Sequence, residues 1–246
     1  MSVSPEQEEK AGTAVHEGDM TMIGHLEEFR RRIIVCLVVL AITSSASYYY
    51  AEELIALISA PVGMLYFMNP AEVFFTYLKI SFFAGFLISL PVLVYEIWMF
   101  IAPAMTLSER KLALVLTPSF VLLFYAGITF SYYFVLPAGV KFFLGFATDS
   151  LQPMFSLGSY LSFVISFVLP FGVVFELPLC LLILAKLGFV SSAFLKKKRK
   201  IVLVLSFVLA AVISPTPDIF SQTMIAVPVI LLYEVSITLI KFFIRK

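Results

Sequence analysis

The sequence predicts an all-α fold, a polytopic membrane protein with six transmembrane helices, and three observations carry that reading. Hydrophobic residues make up 61% of the 246 and charged ones 13%, with a mean hydropathy of +1.02. That much apolar surface exceeds what a water-soluble domain can cover. The apolar residues fall into six runs, about 30–50, 73–101, 111–136, 158–185, 200–213 and 219–240, and most of them match the ~20 residues that cross a hydrocarbon core about 30 Å thick. The basic residues segregate between the two faces such a chain would have. With six spans, Lys10, Arg30–Arg32, Arg110, Lys111, Lys186, Lys196–Lys200, Lys241, Arg245 and Lys246 share one side and only Lys79 and Lys141 the other, 15 against 2. Cytoplasmic loops hold the excess of Lys and Arg, so both termini are expected in the cytoplasm.

The chain opens on a stretch, 1–21, that holds Glu6, Glu8, Glu9, Glu17 and Asp19, one basic residue, Lys10, and almost nothing apolar. Burial there cannot offset the entropy of ordering, so residues 1–21 read as a disordered acidic tail and 22–246 as the six-span domain. No signal-peptide core occurs in the tail. Ser44-Ser45-Ala46 resembles a cleavage site only faintly, and the first run is read as a retained span. The segment His25-Leu26-Glu27-Glu28-Phe29-Arg30-Arg31-Arg32 precedes that span. As a helix it puts Leu26, Phe29 and Ile33 on one face and pairs Glu27 with Arg31 and Glu28 with Arg32 at i, i+4.

Outside loops at about 51–72 and 137–157 separate the first, second, third and fourth spans. Pro91, Pro118, Pro170, Pro178 and Pro228 lie inside runs, where each removes a backbone donor and is expected to kink its helix. The fifth run is short, reaching only about 21 Å at ~1.5 Å per residue. It turns through Ser214-Pro215-Thr216-Pro217-Asp218 into the sixth, a tight hairpin that implies a thinned bilayer or a recessed position. The uneven loops and the single short hairpin argue against inverted repeats of the transporter kind. Cys36 and Cys180, far apart within apolar runs, read as small packing residues rather than a disulfide or thiolate site.

The chemistry then rests on a few carboxylates. Glu28 stands at the membrane edge, where it either satisfies neighbouring arginines and headgroups or contributes to an anionic pocket. Glu109 follows Tyr95–Ala104 in the loop between the second and third runs. Thr106-Leu107-Ser108-Glu109 fits a capping box, and a carboxylate fixed that way is also preorganised for a cationic ligand. Glu176 lies in the middle of the fourth run between Pro170 and Pro178, where an ionised acid is costly unless paired or wetted, so a functional role is the default. Glu96, Glu234 and Lys186 sit near the basic ends of their spans and read as interface residues, and Lys196–Lys200 as a topology anchor and headgroup contact. Gln222 and Thr223 could hydrogen-bond a partner helix or their own bundle.

Catalytic, cofactor and metal motifs are missing: both histidines, His16 and His25, precede the first span, and no phosphate loop, His-Glu-x-x-His or Gly-x-Ser-x-Gly pattern occurs. Two rival readings make Glu176 a carrier site for a solute or proton, or one acid of an intramembrane hydrolase that then needs a second acid beside it.

Six motifs in one order carry a family resemblance. They are His25-Leu26-Glu27-Glu28-Phe29-Arg30, Tyr95-Glu96-Ile97-Trp98 through Phe100-Ile101-Ala102-Pro103-Ala104 to Glu109-Arg110, Ser159-Tyr160-Leu161-Ser162-Phe163, Phe171-Gly172 with Phe175-Glu176-Leu177-Pro178, Lys197-Lys198-Arg199, and Pro217-Asp218-Ile219-Phe220-Ser221-Gln222. In these, over about residues 22–245, the sequence resembles TatC, the multispanning subunit of the twin-arginine protein translocase. The resemblance implies a cupped six-helix bundle in the cell membrane that receives folded cargo bearing twin-arginine signal peptides. It implies that Glu28 and Glu109 match signal-binding carboxylates, Glu176 an intramembrane polar site, and Gln222, with Thr223 beside it, part of the contact with a single-span partner of the TatA or TatB type. Further copies of the chain and membrane lipids are expected partners; nucleic acid, cofactors and metals are not. Phe29 stands where the family usually has Leu, and Ser214-Pro215-Thr216-Pro217-Asp218 departs from the usual Thr-Pro-Pro-Asp of the outer turn.

Overall fold

Within lipid an unpaired backbone N–H or C=O is expensive, so each apolar run has to close its hydrogen bonds within itself as a helix. The computed structural model describes residues 22–101, 107–148, 150, 152–214, 216 and 218–244, with the backbone alone at 22, 23, 107–115, 243 and 244. The tail 1–21 lies outside them. The elements in order are α1 (Met22–Tyr49), α2 (Ala51–Ser59), α3 (Pro70–Ile101), α4 (Leu107–Phe130), a π-helical turn (Ser131–Val135), α5 (Leu136–Leu144), α6 (Leu157–Val174), α7 (Leu177–Lys186), α8 (Ser192–Ile213) and α9 (Ile219–Ile244). Among the described residues there is no β-strand, only an isolated bridge between Tyr66 and Ser156.

Five stretches are long and apolar enough to cross a membrane: Gly24–Tyr49, Pro70–Ile101, Leu116–Leu144, Leu157–Lys186 and Ile219–Phe242. The remaining long helix, α8, carries Lys196–Lys200 on its early turns, which leaves an apolar part, 201–213, of about 20 Å at the usual helical rise. The short fifth span expected from the sequence is therefore the second half of a longer, partly charged helix.

Successive long helices run antiparallel, as their contacts show. Between α1 and α3, Arg32 meets Glu96, Ser44 lies against Gly85, and Tyr48 meets Tyr77. Between α3 and α4, Tyr125 Oη donates to the Leu87 carbonyl at 2.6 Å. Between α8 and α9, Tyr233 Oη donates to the Leu195 carbonyl at 2.9 Å, whereas Ala210 and Ile225 share a core cluster nearer the turn. The core follows the same layering. One cluster joins α2, α3, α5 and α6 through Ile58, Ile80, Leu136, Tyr160 and Val164. Another joins α6, α8 and α9 through Phe167, Phe171, Ala210 and Ile225. A third closes α7, α8 and α9 around Ala185, Leu195 and Ile237. By contrast α1 packs on α3 along one side only, and among its described residues just Ser47 is fully buried.

Three expectations are corrected. The third helical stretch continues through the π turn and Pro137, which sits in the first turn of α5, so it ends at Leu144 rather than near 136. The π turn just ahead of Pro137 loosens the i→i−4 ladder where the proline ring and missing N–H would otherwise break a regular α-helix. The loop assigned to 51–72 holds α2, whose Ala51 and Ile58 face the core. Pro91, Pro118, Pro170 and Pro228 stand inside helices that continue through them, and Pro178 sits in the first turn of α7, just after the break at Phe175 and Glu176. Cys180 is exposed on α7 rather than packed, while Cys36 is half-buried.

Candidate functional site

The start of α1 meets the end of α3 because small residues let the two helices approach further along. A Cβ built on Gly85 falls 2.4 Å from Ser44 Oγ and 2.6 Å from its Cα, so only glycine fits there. Thr43 adds a bond to the Gly85 carbonyl at 2.9 Å. At the end of this contact, Phe100 stacks on His25 with centroids 4.5 Å apart and meets Phe29 at 5.2 Å.

This register sets three charges side by side. Arg32 donates through Nε to Glu28 Oε1 at 2.9 Å, donates to the same oxygen through Nη2, and donates through Nη1 to Glu96 Oε2 at 2.9 Å. The three side chains are only 18%, 17% and 15% exposed for Arg32, Glu28 and Glu96, so screening by water is partial and the pairs are stronger than a surface salt bridge. Glu28 Oε2 is buried with no partner. The expected Glu28–Arg32 pair is thus present, but it is one half of a bridge to another helix. The expected Glu27–Arg31 pair is not: both are exposed and no ion pair joins them. In water such a pair gains little and costs side-chain entropy.

Glu109 lies in the first turn of α4, whose start is separated from the end of α3 by 102–106. So short a link keeps the Glu109 backbone at the same end of the bundle as Glu28 and Glu96. Its side chain, and the capping box with Thr106, lie outside the described residues.

Glu176 sits where α6 gives way to α7, in the turn that Phe175 and Glu176 form ahead of Pro178. The site depends on close packing of α4 on α6. A Cβ on Gly127 falls 2.3 Å from the Phe171 carbonyl oxygen, and one on Gly172 falls 2.6–2.8 Å from the Phe124 ring. Phe130 places its ring 5.9 Å from Phe171 and 5.4 Å from Phe175, just before the π turn. Inside this aromatic wall Glu176 is 4% exposed, and neither carboxylate oxygen has a hydrogen-bond partner. No second acid hydrogen-bonds it, which leaves the hydrolase reading without its pair among the described residues. An unpartnered buried acid costs stability that the fold has to supply elsewhere.

The α8–α9 turn is held by Ser214 Oγ, which donates to the Thr216 carbonyl at 2.7 Å, and by Asp218 Oδ1, which accepts from the Ser221 N–H at 2.7 Å and starts α9. Burial raises the Asp218 carboxyl's affinity for its proton, but the bonds from Thr216 and Ser221 together outweigh it and hold the group below the usual range. Gln222 is half-buried and its amide finds no partner among the described residues, whereas Thr223 donates its hydroxyl to the Ile219 carbonyl of its own helix at 2.7 Å. Thr223 thus uses its proton within its own helix and keeps its acceptor sites.

Glu96 and Arg32 are what residue-by-residue reading missed. Their contact joins positions 64 apart, beyond any helical spacing, and the only sequence signal is a second acid near the basic end of α3.

The family model for the Sec-independent protein translocase protein TatC matches residues 24–228. The chain belongs to the TatC family. It is 40% identical to the TatC of Carboxydothermus hydrogenoformans over 91% of this chain and 93% of that one. It is 35% identical to the Escherichia coli K12 TatC, over 94% and 92%. A crystal structure of a twin-arginine translocase receptor TatC superposes with a TM-score of 0.77 at 36% identity, covering 88% of this chain and 99% of that one. This TatC-family chain is accordingly a multi-pass membrane component of the Tat translocase, with the fold expected of that family.

Proposed function

We propose that this chain is the receptor and core subunit of a twin-arginine translocation system. It binds the signal peptides of folded cargo and recruits TatA-type subunits, and a TatB-type subunit where one exists, for export driven by the proton-motive force. The observation that supports it most is the half-buried Glu28 at one end of the bundle, with an oxygen that no group uses. A guanidinium presents parallel N–H donors that suit both oxygens of a carboxylate, and the partly dry membrane edge strengthens such a pair. Glu109, on the first turn of α4 at that end, supplies the second carboxylate. The basic residues of the α1, α4, α8 and α9 ends favour the cytoplasm for this face, with both termini inside.

Glu176, as a lone acid in an apolar wall, is the site for a polar side chain on an incoming single-span helix. Gln222, whose amide is free of partners among the described residues, adds a contact near the outer hairpin. Site-specific cross-linking to a reporter with an Arg–Arg signal tests the first part. Glu28→Gln and Glu109→Gln are each predicted to lose the cross-link while the protein stays folded; recognition unchanged in both would overturn the assignment.

A further inference from the structure

The most constrained charge in the described structure is Arg32, which already does to Glu28 what an incoming arginine would do. It reaches Glu28 Oε1 through Nε and Nη2 and Glu96 Oε2 through Nη1. Arg30 and Arg31, its neighbours in sequence, point away and are exposed. A guanidinium can hold two carboxylates at once because its donors leave on different edges of one plane; an ammonium is a single point charge and holds one well.

Resting on the reading of Glu28 as a signal contact, we propose that Arg32 is a resident guanidinium that masks Glu28 in the empty site. It occupies Glu28 until a signal arginine takes its place, and it then stays on Glu96. Two features support exchange rather than a permanent clamp. Only one oxygen of Glu28 is used, and the other is covered and unpartnered, so the resident pair is incomplete. Glu96 lies on a different helix from Glu28, so Arg32 keeps a partner after release and no bare charge is left at the membrane edge. Because either signal must displace the same guanidinium, the competition weakens arginine and lysine ligands by the same factor and leaves the preference to the contact each makes with Glu28. Glu96 is thus a positioning residue that holds the displaced group.

Equilibrium binding of fluorescent Arg–Arg and Lys–Lys signal peptides to the full chain in lipid nanodiscs tests this. Removing the competitor in Arg32→Gln is predicted to strengthen both peptides by about the same factor, roughly twofold to fivefold, the size of one partly exposed charge pair, with the arginine preference unchanged. Arg32→Lys keeps the charge but cannot bridge, so it is predicted to strengthen both peptides too, by a smaller factor; this variant also serves if Arg32→Gln does not fold. Glu96→Gln leaves Arg32 with Glu28 alone and is predicted to weaken both peptides. If Glu28→Gln abolishes binding while neither peptide binds more tightly in Arg32→Gln or Arg32→Lys, the competitor role is overturned and Glu28's role stands. If Arg32→Gln loses both peptides as Glu28→Gln does, Arg32 only holds the site together and the proposal again fails. Binding retained in Glu28→Gln overturns the reading beneath it instead.

Discussion

Glu176 combines 4% exposure with two unpartnered oxygens, a cost that a purely structural residue would not keep. Replacing a buried, unpaired polar group by an apolar one of similar size is often stabilising. Glu176→Met is therefore predicted to raise the thermal midpoint of the detergent-solubilised protein, by about 1–2 kcal/mol of stability, and to abolish pull-down of a TatA-type subunit. Asp218 behaves in the opposite sense. Its folded-state affinity for a proton is lowered by Thr216 and Ser221 once their bonds outweigh burial, so its contribution is present above the normal carboxylate range and is lost as pH falls through that range to the depressed value. Hydrogen exchange at the first turn of α9 is predicted to speed up over that acid window in the native chain and to be already fast at neutral pH in Asp218→Ala.

At the scale of elements, the helices that carry the candidate residues are positioned by glycines at close approaches. Gly127 admits no Cβ because the Phe171 carbonyl occupies its place, and Gly172 faces the Phe124 ring. Gly127→Ala has to push α4 off α6, at a cost of about 1–3 kcal/mol for overpacking. Thermal unfolding in detergent is predicted to show that loss, and TatA-type recruitment to fall with it as the wall around Glu176 opens. Much of this layer was legible in the sequence. The apolar runs and the charged Lys196–Lys200 anticipated the long helices and the short apolar half of α8. What was not legible depends on contacts between distant positions. Pro137 looked like a loop residue, yet the π turn at Ser131–Val135 feeds the chain directly into α5, where proline is tolerated. Cys180 lies in an apolar run that packs on one face only, and it falls on the outer one.

For the whole molecule, antiparallel packing of α1 on α3 and the short link into α4 gather Glu28, Glu96 and the start of α4 at one end, while Asp218 and Gln222 lie towards the other end of α9. The sequence pointed to Glu28, Glu109 and Glu176 singly, through their unusual places, and the motif order pointed to the family. It did not show Arg32 bridging to Glu96, because a 64-residue separation leaves no periodic trace. The division of labour proposed here, signal capture at the cytoplasmic end and partner contact within the membrane, makes the end that holds Glu28 decisive. The most direct test is export of a folded reporter when this chain is co-expressed with a TatA-type partner, with Arg–Arg and Lys–Lys signals compared. The account predicts export of the Arg–Arg reporter by the native chain, a sharp fall for the Lys–Lys reporter, and loss of export with Glu28→Gln. Equal export of the two signals by the native chain, or undiminished export in Glu28→Gln, would contradict it.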